Sequence, residues 1–248
     1  MNTWKTLTLT QFKLYLREPM AFFFTLIFPA MLLLLFGAMF GNQPDPFFNP
    51  DYGYVDYETP ALIALILVTI GVMNIPIKIS SEREHKVLRR YRATPLRPIV
   101  YLLADIAMNF LVALAGTGLL LVAGVLAFRL RLASDWPQVA LAFSLTMLSF
   151  AALGYLIAAL APTARVAQVA GTVLFFPMMF LSGAAMPVEI MPEWLQKVSN
   201  ALPMTHAVRL LQGLWFGEGW GGYLDEAAYL SGVLLVCTLI AARAFRWE

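Results

Sequence analysis

The chain has 248 residues, 60% of them hydrophobic and only 13% charged, against roughly 45–50% and about 25% in an average soluble domain. That composition excludes a soluble globular protein and calls for a bilayer as solvent. A net charge of +2 is too small to attract nucleic acid, so the information lies in where the charges sit. The single cysteine, Cys237, can form no intrachain disulfide and falls in the last apolar stretch.

Residues 1–18 predict an amphipathic interfacial helix. Thr3, Thr6, Thr10, Lys13 and Arg17 draw one polar stripe at spacings of three and four, while Trp4, Leu7, Leu14 and Tyr15 gather opposite. A helix of this kind lies along a membrane surface. Six stretches then reach the roughly 20 apolar residues a span needs: Met20 to Phe40, Pro60 to Ile77, Ile99 to Phe128, Pro137 to Leu160, Val166 to Leu181 and Ala227 to Ala244. The first is too long for a signal-peptide core and reads as a permanent span. The third exceeds a perpendicular crossing and predicts a tilted or protruding helix. The expected fold is all-α, a polytopic membrane protein forming one membrane domain over 1–248.

Between the second and third stretches lies an island of charge with seven of the chain's 17 Lys and Arg: Lys78, Arg83, Lys86, Arg89, Arg90, Arg92 and Arg97. Ser81 followed three residues later by Glu84 is a capping-box pattern, predicting a short helix that starts there and runs toward Arg92. Glu82 and Lys86 are spaced to pair, and Thr94-Pro95 closes the segment. Its cations alone would satisfy the positive-inside rule or touch lipid headgroups. Topology, however, requires neither the interleaved glutamates nor a cap.

Two polar positions fall within spans. Asp105 lies one to two turns into the third, with Asn109 one turn further on the same face, and a carboxylate at that depth needs a partner. Arg92, Arg97 or a residue of another span could supply it, and a structural ion pair is the expected role. Asn74 and Pro76 mark a kink near the end of the second span.

Ser182 to Asp225 is too polar to span and too apolar for an ordinary loop. Pro192 to Val198 and Met204 to Trp215 predict two short helices, punctuated by Asn200 and Pro203. They read either as a re-entrant pair over 183–222 packed on the spans, or as a surface hairpin anchored by Trp194, Trp215 and Trp220.

Counting cations by loop fixes the expected orientation. With both termini inside, 13 basic residues are cytoplasmic, and four, Arg129, Arg131, Lys197 and Arg209, are outside. The loop Gly41 to Thr59 carries Asp45, Asp51, Asp56 and Glu58 and no cation. Both counts favour an even number of spans with cytoplasmic termini in a plasma (inner) membrane.

The run Ser81-Glu-Arg-Glu-His-Lys-Val-Leu-Arg-Arg-Tyr-Arg-Ala-Thr-Pro-Leu96 resembles the loop after the second span in permease subunits of the type 2 ABC exporter family. Phe176 to Pro187, Met191 to Leu195, and Leu202 to Ala207 with Arg209 are similar to that family's region around the fifth span. The resemblance implies a dimer, homomeric or paralogous, in which each permease pairs with an ATP-binding subunit, two copies in all. The segment 79–95 would be the coupling helix, offering Ser81, Glu82, Arg83, Glu84, Lys86, Arg89, Arg90 and Arg92 to the ATPase. The outer hairpin would be re-entrant. A pathway between the protomers would draw on Leu67, Thr69, Ile70, Met73, Phe175, Phe176, Met179 and Phe180, suited to a hydrophobic or amphipathic cargo such as a drug, lipid or glycan.

No Gly-x-x-x-x-Gly-Lys-Ser/Thr sequence occurs, so no cofactor is expected on this chain, and ATP and Mg would belong to the partner. The reading is therefore a transport subunit and not an enzyme. A secondary transporter driven by an ion gradient is the alternative, although the halves show no internal repeat. An intramembrane protease would have to rest on Ser182 and His206, and a scaffold without transport is the remaining class.

Overall fold

The computed structural model describes residues 11, 12, 15, 18–45, 49–87, 98–184, 188 and 191–244. Six helices long and apolar enough to cross a membrane dominate it: α1 (Pro19–Phe40), α2 (Tyr54–Glu84), α3 (Pro98–Phe128), α4 (Trp136–Leu160), α5 (Ala164–Leu181) and α8 (Leu224–Ala244). Two shorter helices, α6 (Glu193–Ser199) and α7 (Pro203–Trp215), lie between α5 and α8. A two-stranded antiparallel ladder, β1 (Pro44–Asp45) with β2 (Asn49–Gly53), joins α1 to α2. The chain is an all-α, multi-pass membrane protein.

The third span matches its expected bounds closely, whereas the second is longer than its apolar stretch at both ends. Pro60 lies inside α2, not at its start. The first turn is extended outward because its polar groups are used: the Asp56 carboxylate accepts from Asn42 Nδ2 at 3.1 Å and from the Arg131 amide at 2.8 Å. Arg131 Nε lies 3.7 Å from the same carboxylate, and Asn42 Nδ2 also donates to the Phe128 carbonyl. One acid thus ties together the ends of α1, α2 and α3. At 31 residues and 1.5 Å per residue, α2 is about 46 Å long, well beyond the roughly 30 Å hydrocarbon core.

Helix α2 is also the centre of the bundle, with α1, α3, α4, α5 and α7 packed on it. Within its most apolar window 78% of residues are buried, against 17–33% for α1, α3, α5 and α8. The outer helices thus keep one face for lipid or another protein. Close approach to α2 depends on small residues, as expected where lipid supplies no hydrophobic drive between helices. A Cβ on Gly154 of α4 would collide with the Gly71 carbonyl oxygen, and one on Gly171 of α5 would lie 2.5 Å from the Val72 carbonyl oxygen.

The kink expected at Asn74 and Pro76 takes the form of a π-helical stretch, Thr69–Asn74. A second π stretch, Phe23–Ile27, interrupts α1. Each ends two residues before a proline, Pro76 or Pro29. A proline ring clashes with the carbonyl four residues back and donates nothing, and a widened turn relieves both problems. The stretches are joined where Asn74 Nδ2 donates to Thr25 Oγ1 at 2.9 Å.

The expected helix starting at Ser81 differs from the structure. Ser81 lies in the uninterrupted helix Ile75–Glu84 that completes α2, and its carbonyl accepts the His85 amide at 3.0 Å. A cap residue would need non-helical backbone, which the preceding turns do not allow. The helix instead stops at Glu84, and Lys86 adopts φ 57°, a left-handed conformation that does not continue a helix. Arg89, Arg90, Arg92 and the Thr94-Pro95 stop lie outside the described residues, as do Thr3, Thr6, Thr10, Lys13 and Arg17 of the expected interfacial helix.

The short helices fall where expected, with Pro192 as the N-cap of α6 and Pro203 as the first residue of α7. Helix α7 is buried along most of its length and packs on α2, α4 and α8.

Candidate coupling site at the basic end

The end of α2 that carries Lys78, Arg83 and Lys86 is held by two polar arrangements. Deeper in the bundle, Lys78 Nζ pairs with Asp105 Oδ1 of α3, whose side chain is fully buried while that of Lys78 is 23% exposed. The other carboxylate oxygen accepts from Tyr155 of α4 at 2.6 Å and from Asn109 at 3.1 Å. One turn nearer the helix end, the Tyr101 hydroxyl of α3 donates to Glu82, the carboxylate expected to pair with Lys86. Lys78 and Glu82 lie one turn apart on α2, and Tyr101, Asp105 and Asn109 follow at intervals of four on α3. The facing stripes present complementary groups, with Tyr155 joining a third helix. The cluster uses its charges on one another and locks α2, α3 and α4 in one register.

Nearer the tip, Arg83 donates to the carbonyls of Ala158, at 3.0 Å, and Ala161, both at the C-terminal end of α4. Those carbonyls lack helical partners and carry the negative end of the helix dipole, which suits a guanidinium. Glu84 Oε1 accepts the Ala164 amide at 3.1 Å, at the N-terminus of α5. Thr163 caps the same helix, accepting from Val166. Adjacent side chains of opposite charge therefore grip opposite helix poles across the turn joining α4 to α5.

Of the residues expected to form a partner-facing surface, Glu82 and Arg83 point inward to these bonds and Ser81 is half-buried. Glu84 and Lys86 are exposed. The Ser81 hydroxyl lies 3.4 Å from His85 Nδ1. Asp105 and Asn109 are brought together, with Lys78, a residue of another span, as the cation; Arg92 and Arg97 lie outside the described residues.

The pathway group is divided. Leu67, Thr69 and Ile70 are buried within the bundle, and Met73 is half-buried. The Thr69 hydroxyl donates to the Leu65 carbonyl at 2.6 Å. On α5, Phe175 is buried and Met179 half-buried, whereas Phe176 and Phe180 lie on the outer face with stacked rings 6.5 Å apart. Ser182 and His206 have separate partners: Ser182 Oγ accepts from the Ala184 amide at 3.4 Å, while His206 Nε2 meets the Asn200 carbonyl oxygen at 3.0 Å and its ring stacks on Tyr229.

Lys78, Tyr101 and Tyr155 had not been singled out as one site. The spacing of four linking Lys78 to Glu82 and Tyr101 to Asp105 is the signal that could have found most of it. Tyr155 has no such local signal, because it meets Asp105 only through the packing of α4.

Six apolar helices, the over-long second of them central and held by polar locks at its basic end, define a polytopic membrane protein. The ABC-2 type transporter family matches residues 2–216, and the chain belongs to that family. It is 30% identical over 172 residues to the probable multidrug ABC transporter permease YbhR of Escherichia coli K12, covering 69% of this chain and 46% of the relative. It is 37% identical over 112 residues to nodulation protein J of Sinorhizobium fredii, 44% of this chain and 41% of the relative. With the putative transport permease ycf38 of Cyanophora paradoxa it shares 26% over 214 residues, 82% and 71%. The chain spans less than half the length of the first two relatives. It is a membrane subunit of the ABC transporter type.

Proposed function

We propose that this chain forms the membrane pathway of an ATP-driven exporter and receives its drive from a separate ATP-binding subunit through the segment that follows Ser81. The observation that carries the reading is the double grip of Arg83 and Glu84, considered with family membership. A partner moving the tip of α2 would also move the ends of α4 and α5, because the tip is fastened to both. ATP can favour one membrane conformation only if the partner contacts this tip differently in the two states.

In this reading two permease protomers, identical or paralogous, pair with two ATPase subunits. The basic end faces the cytoplasm, as do both termini, because 13 of the 17 cations fall by sequence in the termini and loops assigned to that side. ATP and Mg are bound by the partner. Helices α6 and α7 dip into the outer leaflet, which is consistent with the burial of α7. The outward-facing Phe176 and Phe180 suit a hydrophobic or amphipathic cargo, a drug, lipid or glycan, met at a face that a second protomer would complete.

Affinity purification of the tagged chain in mild detergent from its native host tests the reading. An ABC-type ATPase should co-purify in stoichiometric amount and be lost when 81–92 is replaced by a neutral linker. A chain that purifies alone and moves solute on an ion gradient in proteoliposomes would replace this reading with a secondary transporter.

A further inference from the structure

Three acids are buried in the described structure: Asp56, Glu58 and Asp105. Asp56 is held by Asn42 and Arg131, and Asp105 by Lys78, Asn109 and Tyr155. Glu58 differs. It lies one turn inside α2 and is 7% exposed, and among the described residues its carboxylate has neither a hydrogen-bond partner nor an ion-pair partner. An acid buried in a membrane span without a partner calls for one from outside the chain.

The surroundings narrow the kind of partner. Tyr54 lies one turn toward the helix end and within electrostatic reach of Glu58. Its ring is 4.9 Å from that of Phe40 and 6.3 Å from that of Phe36, centroid to centroid, and the two phenylalanine rings are 6.4 Å apart. Phe40 is 50% exposed, so the cluster can be reached from outside the bundle. The nearby cation, Arg131, is already engaged by Asp56 and lies over the Tyr52 ring. Aromatic faces attract organic cations, the more so where water is excluded. A single carboxylate one turn from Tyr54 does not offer the six or more oxygen ligands of a calcium site, and it repels anions.

We propose that Glu58, with the Tyr54 ring one turn away on α2 and the Phe36 and Phe40 rings of α1 packed on Tyr54, is a binding site for a hydrophobic organic cation, of the quaternary ammonium or phosphonium kind. The preceding loop adds Asp45 and Asp51 and no cation, and these draw such a ligand to this end of the molecule. The inference deepens the permease reading by naming a class of cargo, but binding at the site does not depend on an ATPase.

Equilibrium binding of radiolabelled tetraphenylphosphonium to the full chain in zwitterionic nanodiscs, without nucleotide, is the test. Saturable binding is expected, weakened at least ten-fold by Glu58→Gln, with tetraphenylborate, the anion of the same shape, failing to compete. Phe40→Leu alters a half-exposed ring, keeps the fold, and should weaken binding several-fold; it serves if the Glu58 variant does not fold. Unchanged affinity in folded Glu58→Gln or in Phe40→Leu, equal competition by the borate, or no saturable binding would each overturn the site. Binding that follows these rules in a chain that captures no ATPase would leave the site standing and remove the permease reading.

Discussion

Replacing Asp105 with leucine separates a buried ion pair from the rest of the fold. The substitution removes the counter-charge of Lys78 and the acceptor used by Tyr155 and Asn109. Breaking a buried pair from one side costs about 3–5 kcal/mol, mainly because a charge is left uncompensated. Here the lower part of that range applies, since Lys78 is partly exposed and also lies within electrostatic reach of Glu82. At roughly 2–4 °C per kcal/mol for a chain of this size, thermal unfolding in detergent, followed by size-exclusion chromatography, should fall by about 10 °C. Replacing both members, Lys78→Met with Asp105→Leu, removes the orphaned charge and should recover most of the loss, since apolar replacement of a whole buried pair is often neutral. A double variant as unstable as the single one would refute the reasoning, and so would an Asp105→Leu protein as stable as the parent.

Arg83→Gln removes the grip on α4 without emptying a core position; in complex with the ATPase it should leave ATP hydrolysis intact and slow transport several-fold, and equal loss of both rates would argue against a transmitting role. Gly154→Val drives a side chain into the Gly71 carbonyl; overpacking typically costs 1–3 kcal/mol, and contact with rigid backbone should raise that to about 3 or more, read as loss of monodisperse protein. Asp56→Leu orphans Asn42 and the Arg131 amide and should cost about 2–4 kcal/mol, whereas Asp56→Asn, which keeps an acceptor, should cost less than half as much in the same thermal assay. Burial pushes the Tyr15 hydroxyl up to about 12. Its folded value lies above the ordinary 10, so its contribution is complete below pH 10 and is lost as pH rises toward 12; Tyr15→Phe should flatten that part of the stability profile, and an unchanged alkaline limb would contradict this.

The spans were legible because each is a long apolar run, and their order and number followed from composition alone. The bounds of α2 were not, because Asp56 at one end and Lys78 to Glu84 at the other look like loop chemistry until their partners on α1, α3, α4 and α5 are in place. The same competition misled the reading of Ser81 and Glu84. The capping-box spacing is real, but the preceding turns were already helical, so Glu84 serves the start of α5 in place of its own helix. Asp105 and Asn109 could be found from their depth in an apolar run. Tyr155 could not, since its role exists only where α4 crosses α3.

The paired π stretches have a mechanical consequence. A π turn is one residue more than the α-helix needs, and such a surplus can travel along a helix without breaking its ends. Moving it by one turn would rotate the segment it passes by about 100° and advance it by about 1.5 Å. Because Asn74 is bonded to Thr25, the surplus in α2 cannot shift without disturbing the one in α1. The two widened turns are thus tied to each other, and a one-residue shift of the surplus in either helix would have to break the Asn74–Thr25 bond or carry the other helix with it.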